Sequence, residues 1–356
     1  MPYRILVVNP GSTSTKTAVY EDETPLFIVN LPHSTSELAG YPRLIDQYPL
    51  RREAVLSCLE EKGIPLSSLS AVVGRGGVLH PLASGTYRIG ERMLADLADP
   101  TTLEHASNLG APIANEIAAL AGVPAFTVDP VAVDEMEDLA RISGLPELPR
   151  RSLSHALNVK AIARRAARDL GARYEDLNLV VVHLGGGISV TAHRRGRMID
   201  VNNATDEGPF APERAGTLPV NGLIDLCFSG RYTRHELKRL VVGGAGLVAH
   251  LDTNSSLEVE RRIAAGDAHA RLVYEAMAYT IAKEIGAMAT VLKGDLAAIA
   301  LTGGIAHSQM LIGWIRERVQ FIAPVVVYPG EDEMLALAQG ALRVLRGEEE
   351  AKDYHG

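Results

Sequence analysis

A duplicated α/β domain pair is the fold class this sequence predicts, and three observations predict it. The stretch Leu179–Ala192, LVVVHLGGGISVTA, overlays Ile5–Ala18 at a constant offset: Val7-Val8 matches Val181-Val182, Gly11 matches Gly185, and Thr17-Ala18 matches Thr191-Ala192. A repeat separated by about half the chain points to duplication of a whole domain. At 356 residues the chain can bury two proper cores. With 47% hydrophobic but only 5% aromatic residues, those cores are built of Ala, Val, Leu and Ile, and 33 glycines supply many tight turns.

The totals also exclude classes. A net charge of −8 argues against broad nucleic-acid binding. Cys58 and Cys227 lack metal or redox spacing and sit in apolar surroundings, so both read as buried thiols of a reducing compartment. The N-terminus enters a strand within a few residues, which leaves no room for a signal peptide, and no apolar run reaches membrane-spanning length. The expectation is a cytoplasmic globular protein that binds neither nucleic acid nor membrane.

In order, Ile5–Tyr20 is a strand, a turn and a second strand. Asn9-Pro10-Gly11 and Ser12–Thr15 form the turn, and Lys16 leads out of it. Small hydroxyl residues, a glycine and a cation suit a phosphate-wrapping turn; a polar hairpin at a sheet edge is the plainer alternative. Pro25–Asn30 is a third strand. Leu50–Lys62 is an amphipathic helix stopped by Gly63, with its charges on a solvated side. Val72-Val73 runs into Gly74-Arg75-Gly76-Gly77, which is either a surface turn or exposed backbone carrying one fixed charge. Thr101–Ala121 has helical spacing interrupted at Gly110-Ala111-Pro112. Pro124–Val128 is a buried strand ending at Asp129-Pro130, a common turn starter but also the place where α/β sheets put chemistry.

Residues 145–151, rich in Pro and Arg, suggest a domain boundary. His155 opens the helix Ala156–Leu170 as a cap, a packing residue or a functional group. After the second hairpin, Asp200–Pro219 is a long loop carrying Arg214. Arg231–Val242 and Ser256–Lys293 are helical, the second with Met277, Ile281, Ile285 and Met288 on a core-facing stripe. A strand at Leu296–Leu301 reaches Thr302-Gly303-Gly304, a turn that a nucleotide can approach closely. The helix Gln309–Val319, the strand Pro324–Tyr328 and a helix from Met334 to about Arg346 follow. The charged tail beyond is expected to fray.

Two familiar motifs fail. Gly11…Lys16-Thr17 resembles a Walker loop, but Thr15 precedes the lysine and a strand follows where a helix is required. Gly185-Gly186-Gly187 lacks the dinucleotide fingerprint and is also followed by a strand. Zinc spacings and serine nucleophile elbows are absent.

The surviving picture resembles the superfamily of acetate and sugar kinases, heat-shock ATPases and actin. Within it, VVNPGSTSTK, VVGRGG, FTVDPVAVDE, SHALN, HLGGGIS, DVNNATDEGPFAPERAGTLP and ALTGGIAHS resemble signatures of the acetate kinase family, closest to its butyrate and branched-chain fatty-acid kinases. The resemblance covers nearly the whole chain. It implies α/β architecture with two duplicated ribonuclease H-like (actin-like ATPase) domains and a nucleotide cleft between them. The first would comprise residues 1–145 plus 330–356 on the acyl side, and the second residues 146–329 on the nucleotide side.

The implied activity is ATP-dependent phosphorylation of butanoate, or isobutyrate or another short-chain acid, to an acyl phosphate and ADP, with Mg²⁺. A sugar kinase or a non-catalytic nucleotide switch is the alternative. By resemblance, Arg75, His155, Arg214 and Asp129 are catalytic. Asn9, Ser12, Lys16, His183, Gly185, Gly186, Gly187, Gly303 and Gly304 bind phosphate or nucleotide. Asp129 and Glu333, chosen over Glu331, flank the metal, and Arg75, Gly77 and Ser154 line the acyl pocket. Ser154 and Gly76-Gly77 stand where acetate kinases carry bulkier residues, which implies room for a longer acyl group. The related kinases are dimers or larger, so a homo-oligomer is expected.

These residue types suit the reaction. A carboxylic acid is already ionised at neutral pH, so it needs no general base. Repulsion between two anions is the obstacle, and arginines, a histidine donor and a metal offset it.

Overall fold

The structure, a computed structural model, describes residues 2–356. It divides into two compact units: one runs to Val133 and resumes at Asp332–Gly356, and the other is Asp134–Glu331. Residues 134–145 and 330–331, expected with the first unit, go with the second. Glu135 accepts hydrogen bonds from Lys160 Nζ (2.5 Å) and the Met198 N–H (2.9 Å), and the Glu137 N–H bonds Ile199 O. Gly330 pairs with Gly303 in both directions.

The first unit holds six strands: β1 (Arg4–Pro10), β2 (Ser14–Glu21), β3 (Thr24–Pro32), β4 (Ala71–Gly74), β5 (Thr86–Arg88) and β6 (Ala125–Val128). Their order in the sheet is β3-β2-β1-β4-β6-β5. The β1–β2–β3 meander is antiparallel, while β1, β4 and β6 run parallel. Alternation places Leu6, Val8 and Val72 in one core with Ile113 and Ile117 of the helix Gly110–Ala121. The helix Glu333–Leu345 packs on the other face, where Gly340 lets its backbone lie directly on Val128.

The second unit repeats the plan with β7 (Asn178–Leu184), β8 (Ile188–Arg194), β9 (Arg197–Val201), β10 (Ala298–Gly303) and β11 (Val325–Pro329), ordered β11-β10-β7-β8-β9. Again a three-strand antiparallel meander adds two parallel strands. The helix Ala268–Val291 buries Met277, Ile281, Ile285 and Met288 against it, as the stripe predicts. Thr17 Oγ1 donates to Val7 O (3.1 Å) and Thr191 Oγ1 to Val181 O (2.8 Å), the same bond at the same offset. The turns differ by one residue. Pro10 pairs with Thr15 across four, whereas Leu184 pairs with Ile188 across three, so Val7 faces Ala18 but Val181 faces Thr191.

Several expectations change. The helix predicted over 101–121 begins at Gly110, because Pro112 belongs in a first turn, where its missing N–H costs nothing. Ser256–Lys293 is two helices, broken at Gly266 with φ +93°. The apolar helix Val220–Phe228 was not foreseen; none of its residues is buried. Cys58 is buried but Cys227 on that helix is exposed. The tail does not fray: the Lys352 N–H donates to Thr86 O (2.8 Å) and the Arg88 N–H to Lys352 O (2.9 Å), adding a bridge to β5.

Candidate active site

In each unit the candidate residues stand at the C-terminal ends of three adjacent parallel strands, where open α/β sheets bind ligands. In the first unit these ends carry Asn9 (β1), Arg75 (after β4) and Asp129 (after β6). In the second they carry His183 (β7), Thr302-Gly303 (β10) and Gly330-Glu331 (after β11).

The first half-site centres on Glu333, in the first turn of its helix. One carboxylate oxygen accepts from Asn9 Nδ2 at 2.9 Å and the other pairs with the Arg75 guanidinium. Arg75 is mostly buried, and its N–H donates to Val8 O, which fixes the start of its loop. Asp129 is buried with φ +39°, a left-handed conformation that costs a non-glycine residue about 1–2 kcal/mol. Its Oδ1 accepts from Ser84 Oγ (2.6 Å) and the Gly85 N–H (2.8 Å), and its own N–H returns a bond to Gly85 O. The C-terminal tail grips the far side of that loop. Lys352 Nζ donates to Ser84 O at 2.5 Å, and Glu349 accepts from the Thr86 N–H at 2.6 Å.

Lys16 is exposed and directly opposite Asn9, so both side chains leave the same face of the hairpin; Ser12 is exposed in the turn. The pocket role expected of Gly77 does not follow from its missing side chain. A Cβ there would strike Asn108 and Leu97, and one at Gly76 would strike Pro130 and Thr127. These glycines admit close packing of the Arg75 loop instead of leaving open room.

The second half-site centres on two stacked imidazoles. His155 and His183 lie 3.8 Å apart at 12°. Ser189 Oγ meets His155 Nδ1 at 2.9 Å, and Asn158 Oδ1 accepts from His183 Nδ1 at 2.9 Å, which leaves His183 Nε2 facing Glu331 at 3.4 Å. Glu331 and Glu333, alternatives in the sequence, make different contacts: one lies beside His183, the other on Arg75. Arg214 makes no ion pair among the described residues; its Nη1 donates to Ala204 O at 3.2 Å, and burial pulls its pKa down. Its guanidinium lies against Gly187, where any Cβ would overlap it. Gly185 similarly sits on His183 Nε2, and a Cβ at Gly186 would come within 3.3 Å of Glu213 Oε2. Gly303, at φ +96°, abuts the Leu184 backbone, whereas Gly304 has open space and is the member of the pair a nucleotide can approach. Ser154 is buried with its hydroxyl turned to Met198 Sδ, 3.8 Å away.

Sequence reasoning missed the supports. Asn202 bridges the loop to β8, accepting from the Val190 N–H (2.6 Å) and donating to Ile188 O (2.9 Å). Arg150 holds Asp200 and Glu207, at 3.0 Å each, together with two carbonyls, and so anchors the loop that carries Arg214. Arg51, read as one charge on a solvated helix side, is fully buried behind the β1–β2 turn. A run of Asn, Asp and Glu inside a long loop was the available signal for the first group; nothing marked Arg51.

Among the described residues no cluster of three or more His, Cys, Asp or Glu could by itself hold a metal. Asp129 and Glu333 offer hard oxygen donors in one unit. That suits Mg²⁺, which takes one or two carboxylates and completes its shell with water and substrate phosphate.

The model of the "Acetokinase family" matches residues 148–322. Butyrate kinase 2 of Clostridium acetobutylicum is 52% identical over 355 residues, covering 99% of this chain and 100% of that protein. A probable butyrate kinase 2 of Caldanaerobacter subterraneus subsp. tengcongensis is 55% identical over 352 residues, 99% of each. Among solved structures, Porphyromonas gingivalis acetate kinase superposes with TM-score 0.78 at 20% identity, over 96% of this chain and 100% of that one. A ROK family protein from Streptococcus pneumoniae gives TM-score 0.52 at 11% identity, over 97% and 100%. At such identities the structural likeness is one of fold, that of the actin-like ATPases.

Proposed function

The chain belongs to the acetokinase family, and from that premise we propose that it is a butyrate kinase, transferring the γ-phosphoryl group of ATP directly to butanoate to give butanoyl phosphate and ADP. The full-length identity above 50% to relatives named for butyrate carries the choice of substrate. The geometry of the two half-sites supports phosphoryl transfer.

One carboxylate oxygen of butanoate forms the new bond to phosphorus as the bond from phosphorus to the β,γ-bridging oxygen breaks, and ADP leaves with that electron pair. No proton moves, so no base is needed, and Asp129 is cast as a metal ligand. Arg75 and Arg214 neutralise equatorial oxygens of the transferring group; a guanidinium does so without losing its proton. Glu333 and Asn9 hold Arg75 in the first unit. His155, held by Ser189 Oγ at Nδ1 and stacked on His183, offers Nε2 as a hydrogen-bond donor to the transferring group in the tautomer that carries the proton there. Ser12, Lys16 and the turn N–H groups take the phosphoryl end; Gly185–Gly187 and Gly304 meet the nucleotide phosphates and nucleoside. Mg²⁺ on Asp129 and Glu333, when bound, offsets charge on the phosphates.

A cytoplasmic location and a homo-oligomer are part of the same reading; the exposed apolar residues Val220 and Phe228, on a helix with no buried residue, support the oligomer. No helix among the described residues is long and apolar enough to cross a membrane.

Comparing kcat/KM for acetate, propionate, butyrate and isobutyrate tests the substrate. The reading expects butyrate above acetate, since each buried CH₂ contributes about 0.8 kcal/mol, or roughly fourfold. A preference for acetate would overturn it.

A further inference from the structure

Arg51 sits on the helix Tyr48–Glu61 with no exposed surface and no ion pair among the described residues. Its guanidinium holds carbonyl oxygens of the β1–β2 turn instead. Nη1 donates to Gly11 O (2.7 Å) and Ser14 O (2.9 Å), and Nη2 to Ser12 O (2.8 Å). Gln47 Oε1, one helical turn back, accepts the remaining Nη2 bond at 2.9 Å. The His33 N–H takes Thr13 O at 2.8 Å, so all four carbonyls from Gly11 to Ser14 have internal donors.

A trans peptide points its carbonyl and the next residue's N–H in opposite directions, and there are no cis bonds among the described residues. Fixing the Gly11, Ser12 and Thr13 carbonyls onto donors behind the turn therefore turns the N–H groups of Ser12, Thr13 and Ser14 outward, on the side where Ser12 and Thr13 are exposed. Successive outward N–H groups make an anion-binding concavity. The arginine charge is offset only by carbonyl dipoles, so it also places positive potential behind that concavity.

We propose that Arg51 is a positioning residue for phosphoryl transfer, holding the β1–β2 turn so that its backbone N–H groups face the transferring phosphoryl group. This rests on the kinase reading above. Arginine suits the task because its planar fork bridges three carbonyls from two nitrogens; a lysine ammonium is a compact charge without that fork.

The test compares Arg51→Lys and Arg51→Gln with wild type in MgATP and butyrate, trapping butanoyl phosphate as its hydroxamate. Misaimed donors to a developing charge lower kcat by about 10²-fold each; a fall of that size is expected, with KM for MgATP and for butyrate within about threefold of wild type. A purely structural role would lower the melting temperature and the active fraction while leaving kcat per folded molecule unchanged. Folded variants with wild-type kcat overturn the proposal.

Should neither variant fold, wild type decides by amide hydrogen exchange with MgADP, aluminium fluoride and butyrate. Slowed exchange at Ser12 and Thr13 supports the outward orientation, and unchanged exchange refutes it. A wild-type protein that forms no acyl phosphate refutes the kinase reading itself, a result distinct from either of these.

Discussion

Replacing Gly187 with alanine separates stability from catalysis. The added Cβ would stand 2.9 Å from Arg214 Nε, with Cζ and Nη1 nearer still. Ordinary carbon contacts begin at about 3.5 Å, so the guanidinium must withdraw by roughly 1 Å or more. It is the far end of a flexible side chain and makes no ion pair among the described residues, and Gly187 is not among the positive-φ glycines, so withdrawal is cheap for the fold. The melting temperature is therefore expected to change by no more than a few degrees, about what 1 kcal/mol gives in a chain of this size. Turnover is another matter. A misplacement of about 1 Å costs about 10²-fold, equivalent to about 2.7 kcal/mol of transition-state stabilisation. Steady-state hydroxamate formation with butyrate and MgATP, beside a thermal unfolding curve, reads both quantities. Wild-type kcat in a stable Gly187→Ala protein would show that Arg214 does not act on the reacting group where it lies.

Arg75→Ala, which strips Glu333 of its cation, is expected to lower kcat by orders of magnitude while circular dichroism stays native; near-wild-type turnover would remove Arg75 from the mechanism. Deleting residues 348–356 removes the Glu349 and Lys352 bonds to the Ser84–Thr86 loop that holds Asp129. The truncated protein should need more Mg²⁺ for half-maximal rate, and an unchanged Mg²⁺ dependence would deny the tail that role. His193 is wholly buried between Tyr174 and Thr191, and burial, with Lys160 and Arg164 nearby, pushes its pKa well below the usual value. The unfolded chain binds that proton below about pH 6.5 while the folded one does not, so this contribution to stability is full above that pH and is lost on acidification, by up to about 1.4 kcal/mol per pH unit. Burial raises the carboxyls of Asp200 and Glu284, which act in the opposite sense, but both remain in His193→Gln. The difference between wild type and that variant in urea unfolding from pH 7 to 5 should therefore carry the His193 slope, and parallel slopes would contradict it.

The duplicated plan was legible because a buried strand, a small-residue turn and an alternating strand are local patterns, and the chain writes them twice. Arg75 and Asp129 were legible for a related reason: each follows a buried β-branched or aromatic run at a Gly or Pro signal, where strands end. Arg51 was not, because its neighbours Arg52 and Glu53 make any charge at that spacing look solvated, and only the depth of the turn above it shows otherwise. The tail misled for the same reason: charge predicts fraying, while the paired backbone of Lys352 and the Glu349 and Arg343 ion pair hold it down. The difference in turn length between the hairpins was hidden by an overlay that matches residues but not cross-strand partners. Gly76 and Gly77 show the limit of reading small side chains as empty space, since neighbouring atoms fill it.

Product analysis of the wild-type protein tests the central claim most directly. Incubated with MgATP, butyrate and hydroxylamine, it should release ADP and butyryl hydroxamate in equal amounts, with no AMP and little ADP when butyrate is omitted. ADP without hydroxamate, or AMP in its place, would contradict direct phosphorylation of the carboxylate.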